Sequence, residues 1–170
     1  SPYSERMAAY FSAKHYQQKK TGDLPEVVCI STRNDSLYIG IEQSFSVKAP
    51  AERVTALLDD FGNYPKLFED IVKAYTTKSS GSSYFILRQE QKMPIPFLPH
   101  LVYDMAYFTN AEKKGKSYLY KLCGGKDMKY NDGMISILST SPQSCSFYEL
   151  DFIYGNWSAL GSLSDSMIWS

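Results

Sequence analysis

From Ile71 onward the chain reads as one extended run after another, and that succession constrains the fold more than any other feature. Candidate strands cover 71–78, 84–91, 102–109, 117–123, 133–140 and 145–154. Their connectors are rich in turn formers: Ser79-Ser80-Gly81-Ser82, residues 110–115, and Ser141-Pro142-Gln143-Ser144. Connectors this short leave no room for crossover helices, so successive strands must run antiparallel, as a meander. Upstream, Val27-Val28-Cys29-Ile30 and residues 37–47 form two more runs, parted by the turn-forming Arg33-Asn34-Asp35-Ser36. In the second run Leu37, Ile39, Ile41, Phe45 and Val47 face one way. Tyr38, Gly40, Glu42, Ser44 and Ser46 face the other, the period-two pattern of a half-buried strand.

Between hairpin and meander, Pro50 opens a helix in which Val54, Leu57, Leu58 and Phe61 follow the i, i+3, i+4, i+7 spacing. Those four are the expected buried stripe, with Glu52, Arg53 and Asp59 exposed. Gly62-Asn63 ends this helix, and Pro65 starts a second, shorter one through about Glu69. Residues 3–20 read as an outer helix, with Pro2 suited to its first turn and Gly22 to its stop. From Ser158 the pattern is helical again, with Leu160, Leu163 and Met167 in register. The expected organisation is an appended helix over 1–24 and a single domain over 25–170. Its fold class is α+β, one curved antiparallel sheet with few helices. A twisted sheet of that many strands must have its concave face covered. A terminal helix about 20 Å long, at ~1.5 Å per residue, cannot fill such a concavity alone. An internal hollow is the natural consequence.

Composition removes several classes. With 170 residues and 15% aromatics the chain can bury a continuous core and is not disordered. Eighteen basic residues against 18 acidic ones leave no cationic surplus, so no nucleic-acid partner is expected. Cys29, Cys123 and Cys145 lie far apart without a C-x-x-C, and His15 and His100 sit near none of them. A metal centre, a nucleophilic cysteine and a bound cofactor are therefore not expected.

The stretch 45–65, Phe-Ser-Val-Lys-Ala-Pro-Ala-Glu-Arg-Val-Thr-Ala-Leu-Leu-Asp-Asp-Phe-Gly-Asn-Tyr-Pro, resembles the strand-helix-helix opening of the START and Bet v 1-like superfamily. That superfamily includes polyketide cyclases and coenzyme Q-binding proteins. Its pieces here are an apolar strand, Ala-Pro-x-Glu-x-Val, Leu-x-Asp, and a Tyr-Pro entering the second helix. The START branch is the nearer resemblance, through the outer helix and the insert Met93-Pro-Ile-Pro-Phe-Leu-Pro-His100. Two departures stand out. His100-Leu101-Val102-Tyr103 replaces the Arg-Asp pair that commonly follows that loop, and the last helix is short. The resemblance implies a helix-grip fold, the sheet wrapped on a C-terminal helix around a ligand cavity. It marks fold rather than ligand, since such proteins bind sterols, phospholipids, quinones, hormones and polyketides.

Side-chain chemistry assigns the faces. An unpaired carboxylate costs several kcal/mol to bury, so Glu149 and Asp151 are assigned to water and Tyr148, Leu150, Phe152 and Tyr154 to the concave side. The same logic turns Tyr103, Met105 and Tyr107 inward opposite Asp104, and Tyr118, Tyr120 and Leu122 inward opposite Lys121. In 84–91 the two faces are nearly equal in polarity, and Phe85, Leu87 and Gln89 are placed inside. With Leu163 and Met167 these residues make the expected cavity wall, apart from Gln89, Leu122 and Tyr154. Pro96, Phe97, Leu98 and His100 are the expected gate, which a lipid surface could receive during transient membrane contact. No catalytic residue is assigned: tyrosines, Arg88, Glu90, Asp104 and His100 are the candidate acid–base groups, and spacing holds no two together. The expected function is non-enzymatic carriage or sensing of a hydrophobic small molecule such as a lipid. The alternative is a polyketide cyclase or dehydratase in the same cavity. A lesser one is an RNA-, ribosome- or protein-binding module using the six lysines within 112–129.

Overall fold

A computed structural model describes residues 26–156 apart from 34, 35, 82, 94–97 and 127, with backbone only for 26–42 and 153–156. The expected outer helix, the final helix with Leu163 and Met167, and the loop residues Pro96 and Phe97 lie outside the described residues. Eight strands are present: β1 (Glu26–Arg33), β2 (Ser36–Val47), β3 (Ile71–Ser80), β4 (Tyr84–Gln91), β5 (Leu101–Glu112), β6 (Gly115–Gly125), β7 (Tyr130–Ser141) and β8 (Ser144–Asn156). They form one sheet in the order β1-β2-β8-β7-β6-β5-β4-β3. Every neighbouring pair is antiparallel. The meander is thus as expected, and β2 against β8 is where the first hairpin joins the last strand. Helix α1 (Ala51–Asp59), a single 3-10 turn (Phe61–Asn63) and helix α2 (Tyr64–Leu67) lie between β2 and β3.

Helix α1 starts at Pro50, whose carbonyl accepts from the Arg53 and Val54 amides at 3.1 and 3.3 Å. It packs across β6, β7 and β8. Its buried stripe is Ala51, Val54 and Leu58, set against Ile137 and Cys145, both fully buried, and against Phe147. The expected stripe is corrected at two positions. Leu57 is 50% exposed, because the close contact is made through the small Ala51, and that turns the i+6 position away from the sheet. Phe61 lies past the helix end, where its ring meets Tyr64, Phe85 and Tyr107 at 5.4, 4.6 and 6.1 Å.

A second, larger core cluster lies on the same concave side. It joins Tyr64 of α2 and Ile71 of β3 to Leu87, Tyr103, Met105, Tyr107 and Tyr120. Ile135 packs against both clusters. Truncating Leu57 to Ala is expected to change stability by less than ~1 kcal/mol, whereas Leu58→Ala should cost about 2 kcal/mol or more. Denaturant midpoints check the pair, and equal costs would contradict the rotation of α1 described here.

Candidate functional site

Between the concave face and the α1–α2 segment lies a cavity of about 290 Å3. Leu58, Tyr64 and Phe68 border it from the helical side, Tyr103, Met105 and Tyr107 from β5, and Tyr120 from β6. Tyr64 is held in place by its hydroxyl, which donates to the Leu58 carbonyl at 2.7 Å. Strand register sets the sheet wall. Phe85 pairs with Tyr107, Tyr107 with Tyr120, Tyr120 with Gly133, and Gly133 with Asp151, so one row crosses five strands. Along it the Phe85 and Tyr107 rings stack at 5.1 Å, and Tyr107 and Tyr120 follow at 5.3 Å. Gly133 is required at the next place. A Cβ there would collide with the Tyr120 ring and with Asp151 Oδ1. Lacking one, β7 lets the Tyr120 hydroxyl reach over it and donate to Asp151 Oδ1.

Glu149 lines the cavity beside Asp151, two residues away on the same strand face, and accepts a hydrogen bond from Gln43 Nε2 at its Oε2. Two neighbouring carboxyls on one face do not both ionise cheaply. Asp151 is pushed well above the usual carboxylate range, mainly by burial and further by its hydrogen bond with Glu149 and by that residue's charge, while Tyr120 opposes the shift. The hydroxyls of Tyr107 and Tyr120 are likewise pushed well up, first by burial and then by surrounding groups that include these carboxylates. The result is an acid that keeps its proton beside a neutral tyrosine donor. Such a group can orient a polar ligand atom or exchange a proton with it.

No protein-family model matches the chain, and no curated protein matches it in sequence. Solved structures do. The human StarD13 (DLC2) lipid transfer and protein localization domain superposes with a TM-score of 0.64 at 13% identity, covering 94% of this chain and 85% of that one. Human STARD10 gives a TM-score of 0.63 at 12% identity, covering 94% and 71%. The Zhui aromatase/cyclase from Streptomyces sp. R1128 gives 0.57 at 14% identity, covering 68% and 67%. The chain has the START/Bet v 1-like helix-grip fold.

Within this START-like fold, Tyr103, Met105, Tyr107 and Tyr120 come together around the cavity. Phe85 and Leu87 point the same way and are buried behind it. Tyr118 also faces inward, but under α1 rather than into the cavity, its hydroxyl donating to Asp59 Oδ1 at 3.0 Å. The expected orientation of β8 is corrected. Glu149 and Asp151 face the cavity, and Tyr148, Leu150 and Phe152 occupy the opposite face of the sheet, Leu150 fully buried and Phe152 edge-on to Tyr130 at 5.1 Å. The cause is register. Cys145 pairs with Val47 beneath α1, and Phe147 stacks on Phe45 at 4.7 Å. Period two then carries residues 149 and 151 to the same face.

Of the expected gate, Leu98 is half-buried and His100 is exposed, and neither lines the cavity. Of the expected acid–base groups, Tyr103, Tyr107 and Tyr120 line the cavity, whereas Arg88, Glu90, Asp104 and His100 lie in surface ion pairs. His100 Nδ1 is 2.7 Å from Glu90 Oε1, and Arg88 makes two 2.7 Å bonds to Asp104, holding that carboxyl below its usual range. Among the described residues no cluster of three or more potential ligands could hold a metal. The missed carboxyl pair did leave a signal. Gln43 shares the parity of Ile41, Phe45 and Val47, and a polar residue on an apolar face needs a polar partner.

A pH dependence follows. Because native Asp151 keeps a proton that the unfolded chain loses above about pH 4, native stability falls as pH rises from there towards the raised native value. Asp151→Asn keeps the acceptor for Tyr120 and removes the titration. The variant should melt higher than the parent at pH 7, by ~2–4 °C for each kcal/mol relieved, and the gap should close towards pH 4. A gap constant from pH 4 to 8, in melts followed by circular dichroism, would place Asp151 in an ordinary environment.

Proposed function

We propose that the chain binds and carries a small, largely apolar molecule whose polar end lies against Glu149 and Asp151. The observation that carries this reading is a cavity with aromatic and methionine walls and convergent polar groups at one end. Its volume of about 290 Å3 stands at the lower end of the ~300–1,000 Å3 range of ligand pockets. That favours a single short chain or small ring system over a two-chain lipid. Likeness in fold to a domain named for lipid transfer supports the same reading.

Trp substitutions test it. Tyr107→Trp and Tyr120→Trp add volume at the cavity wall and should weaken uptake of a small neutral fluorophore, N-phenyl-1-naphthylamine, by about 10-fold, or ~1.4 kcal/mol. Phe152→Trp, on the other face of the sheet, should leave uptake unchanged. Equal uptake by all three variants, or none by the parent, would refute the assignment. Extraction of the purified protein with organic solvent, followed by mass spectrometry, identifies any co-purified ligand.

One observation favours a second reading, a cyclase- or dehydratase-type enzyme. The proton-holding Asp151, beside Glu149 and Tyr120, has the raised carboxyl that general acid–base chemistry uses. Likeness in fold to an aromatase/cyclase supports it. In that case a poly-β-carbonyl substrate should be cyclised by the parent chain and bound without turnover by Asp151→Asn. Absence of turnover by the parent would leave carriage as the function.

A further inference from the structure

Charge in the cavity is one-sided. Asp70, Glu149 and Asp151 all line it, and no Lys, Arg or His does so among the described residues. Polar capacity is also left over. The Gln89 side chain is 8% exposed, faces the cavity from β4, and its amide has no hydrogen-bond partner among the described residues. The Tyr107 hydroxyl, on a residue 9% exposed, is in the same condition. Among the described residues the only fully enclosed side-chain polar atom lacking a partner is Asp132 Oδ1, so the Gln89 and Tyr107 groups open onto the cavity instead of being sealed in protein. On the carboxyl pair, Gln43 occupies Oε2 of Glu149 and Tyr120 occupies Oδ1 of Asp151. The two carboxyls are also bonded to each other, and since each carboxyl oxygen can accept more than one hydrogen bond, the pair keeps acceptor capacity towards the cavity.

We propose that the polar end of the ligand is a protonated amine, held by the carboxyl oxygens of Glu149 and Asp151 with the Gln89 and Tyr107 groups facing the same space. This rests on the reading of the cavity as a carrier site and names the chemical class it takes. A primary ammonium brings three donors and a positive charge, and it meets acceptors in a cavity whose lining carries no opposing cation. An alcohol of the same length offers one donor and no charge, and a carboxylate is repelled. A metal ion is a poorer fit than an organic cation, since no cluster of three or more metal-binding side chains exists among the described residues.

Isothermal titration of the full chain at pH 7 with 1-octylamine, 1-octanol and octanoic acid tests the assignment. The amine is expected to bind about 10-fold or more tightly than the alcohol, with the acid weakest. Glu149→Gln should bring the amine to the affinity of the alcohol while leaving the alcohol unchanged. Amine and alcohol binding equally, or the acid binding best, overturns the amine assignment and leaves apolar carriage standing. Binding of none of the three removes the carrier reading as well. A Glu149→Gln protein that retains the full preference places the amine elsewhere and overturns the assignment. If that variant does not fold, the ranking of the three ligands on the parent chain decides alone.

Discussion

The pairing of β2 with β8 is the constraint on which the rest of this molecule depends. It joins the first hairpin to the end of the meander, and its register, with Phe45 opposite Phe147 and Val47 opposite Cys145, decides which face every later residue of β8 occupies. The Phe45–Phe147 stack lies next to the cluster beneath α1, where Ile137 and Cys145 are completely enclosed. A slip of one residue would expose Cys145 and Phe147, turn Tyr148 and Leu150 into the cavity, and send both carboxyls to the other face. Two aromatic rings and one buried thiol thus set the chemistry of a site several residues further along the strand.

Much of the fold was legible in the sequence because its strongest signals are local. Turn-rich connectors and period-two runs mark the strands, and the opening of 45–65 has the spacing of a START-like strand and helix pair. Where the reading fell short, two patterns of similar strength competed. The connector placed at 110–115 is a turn of Lys113 and Lys114 between strands that run on to Glu112 and from Gly115. The polar Asn110 and Glu112 disguised strand ends that project into solvent. In α1, both Leu57 and Leu58 fit an amphipathic stripe, and only the closeness of Ala51 to the sheet chooses between them.

The inversion of β8 has a different origin. Both faces of that strand are rich in apolar side chains, so hydrophobic alternation does not discriminate between them, and the rule that carboxylates seek water decided the assignment by default. Register outweighs that rule because burying Cys145 and Phe147 stabilises more than solvating two carboxyls whose charge is reduced by a retained proton. The partners of the pair come from distant parts of the chain, Gln43 from β2 and Tyr120 from β6. Separations of that kind are invisible to a reading by local period.

Stability alone does not account for the acid pair. Well-packed apolar residues in place of a buried charged group are often neutral or stabilising, whereas an acid held above its usual range costs free energy at neutral pH. The surrounding structure nevertheless accommodates it closely. Gly133 withholds a side chain so that Tyr120 can cross to Asp151, and Gln43 interrupts an apolar strand face to meet Glu149. Gln89 and Tyr107 keep hydrogen-bonding groups that find no partner among the described residues, at nearly buried positions that a purely structural core would fill with apolar ones. Local rules broken together, at one end of one cavity, are what a binding site looks like when its energetic return comes from a ligand. The ion pairs Arg88–Asp104 and His100–Glu90 are the contrast: geometrically good, exposed, and worth little to either stability or chemistry. Function in this fold is therefore to be sought where the chain spends stability without a structural gain, at Glu149 and Asp151.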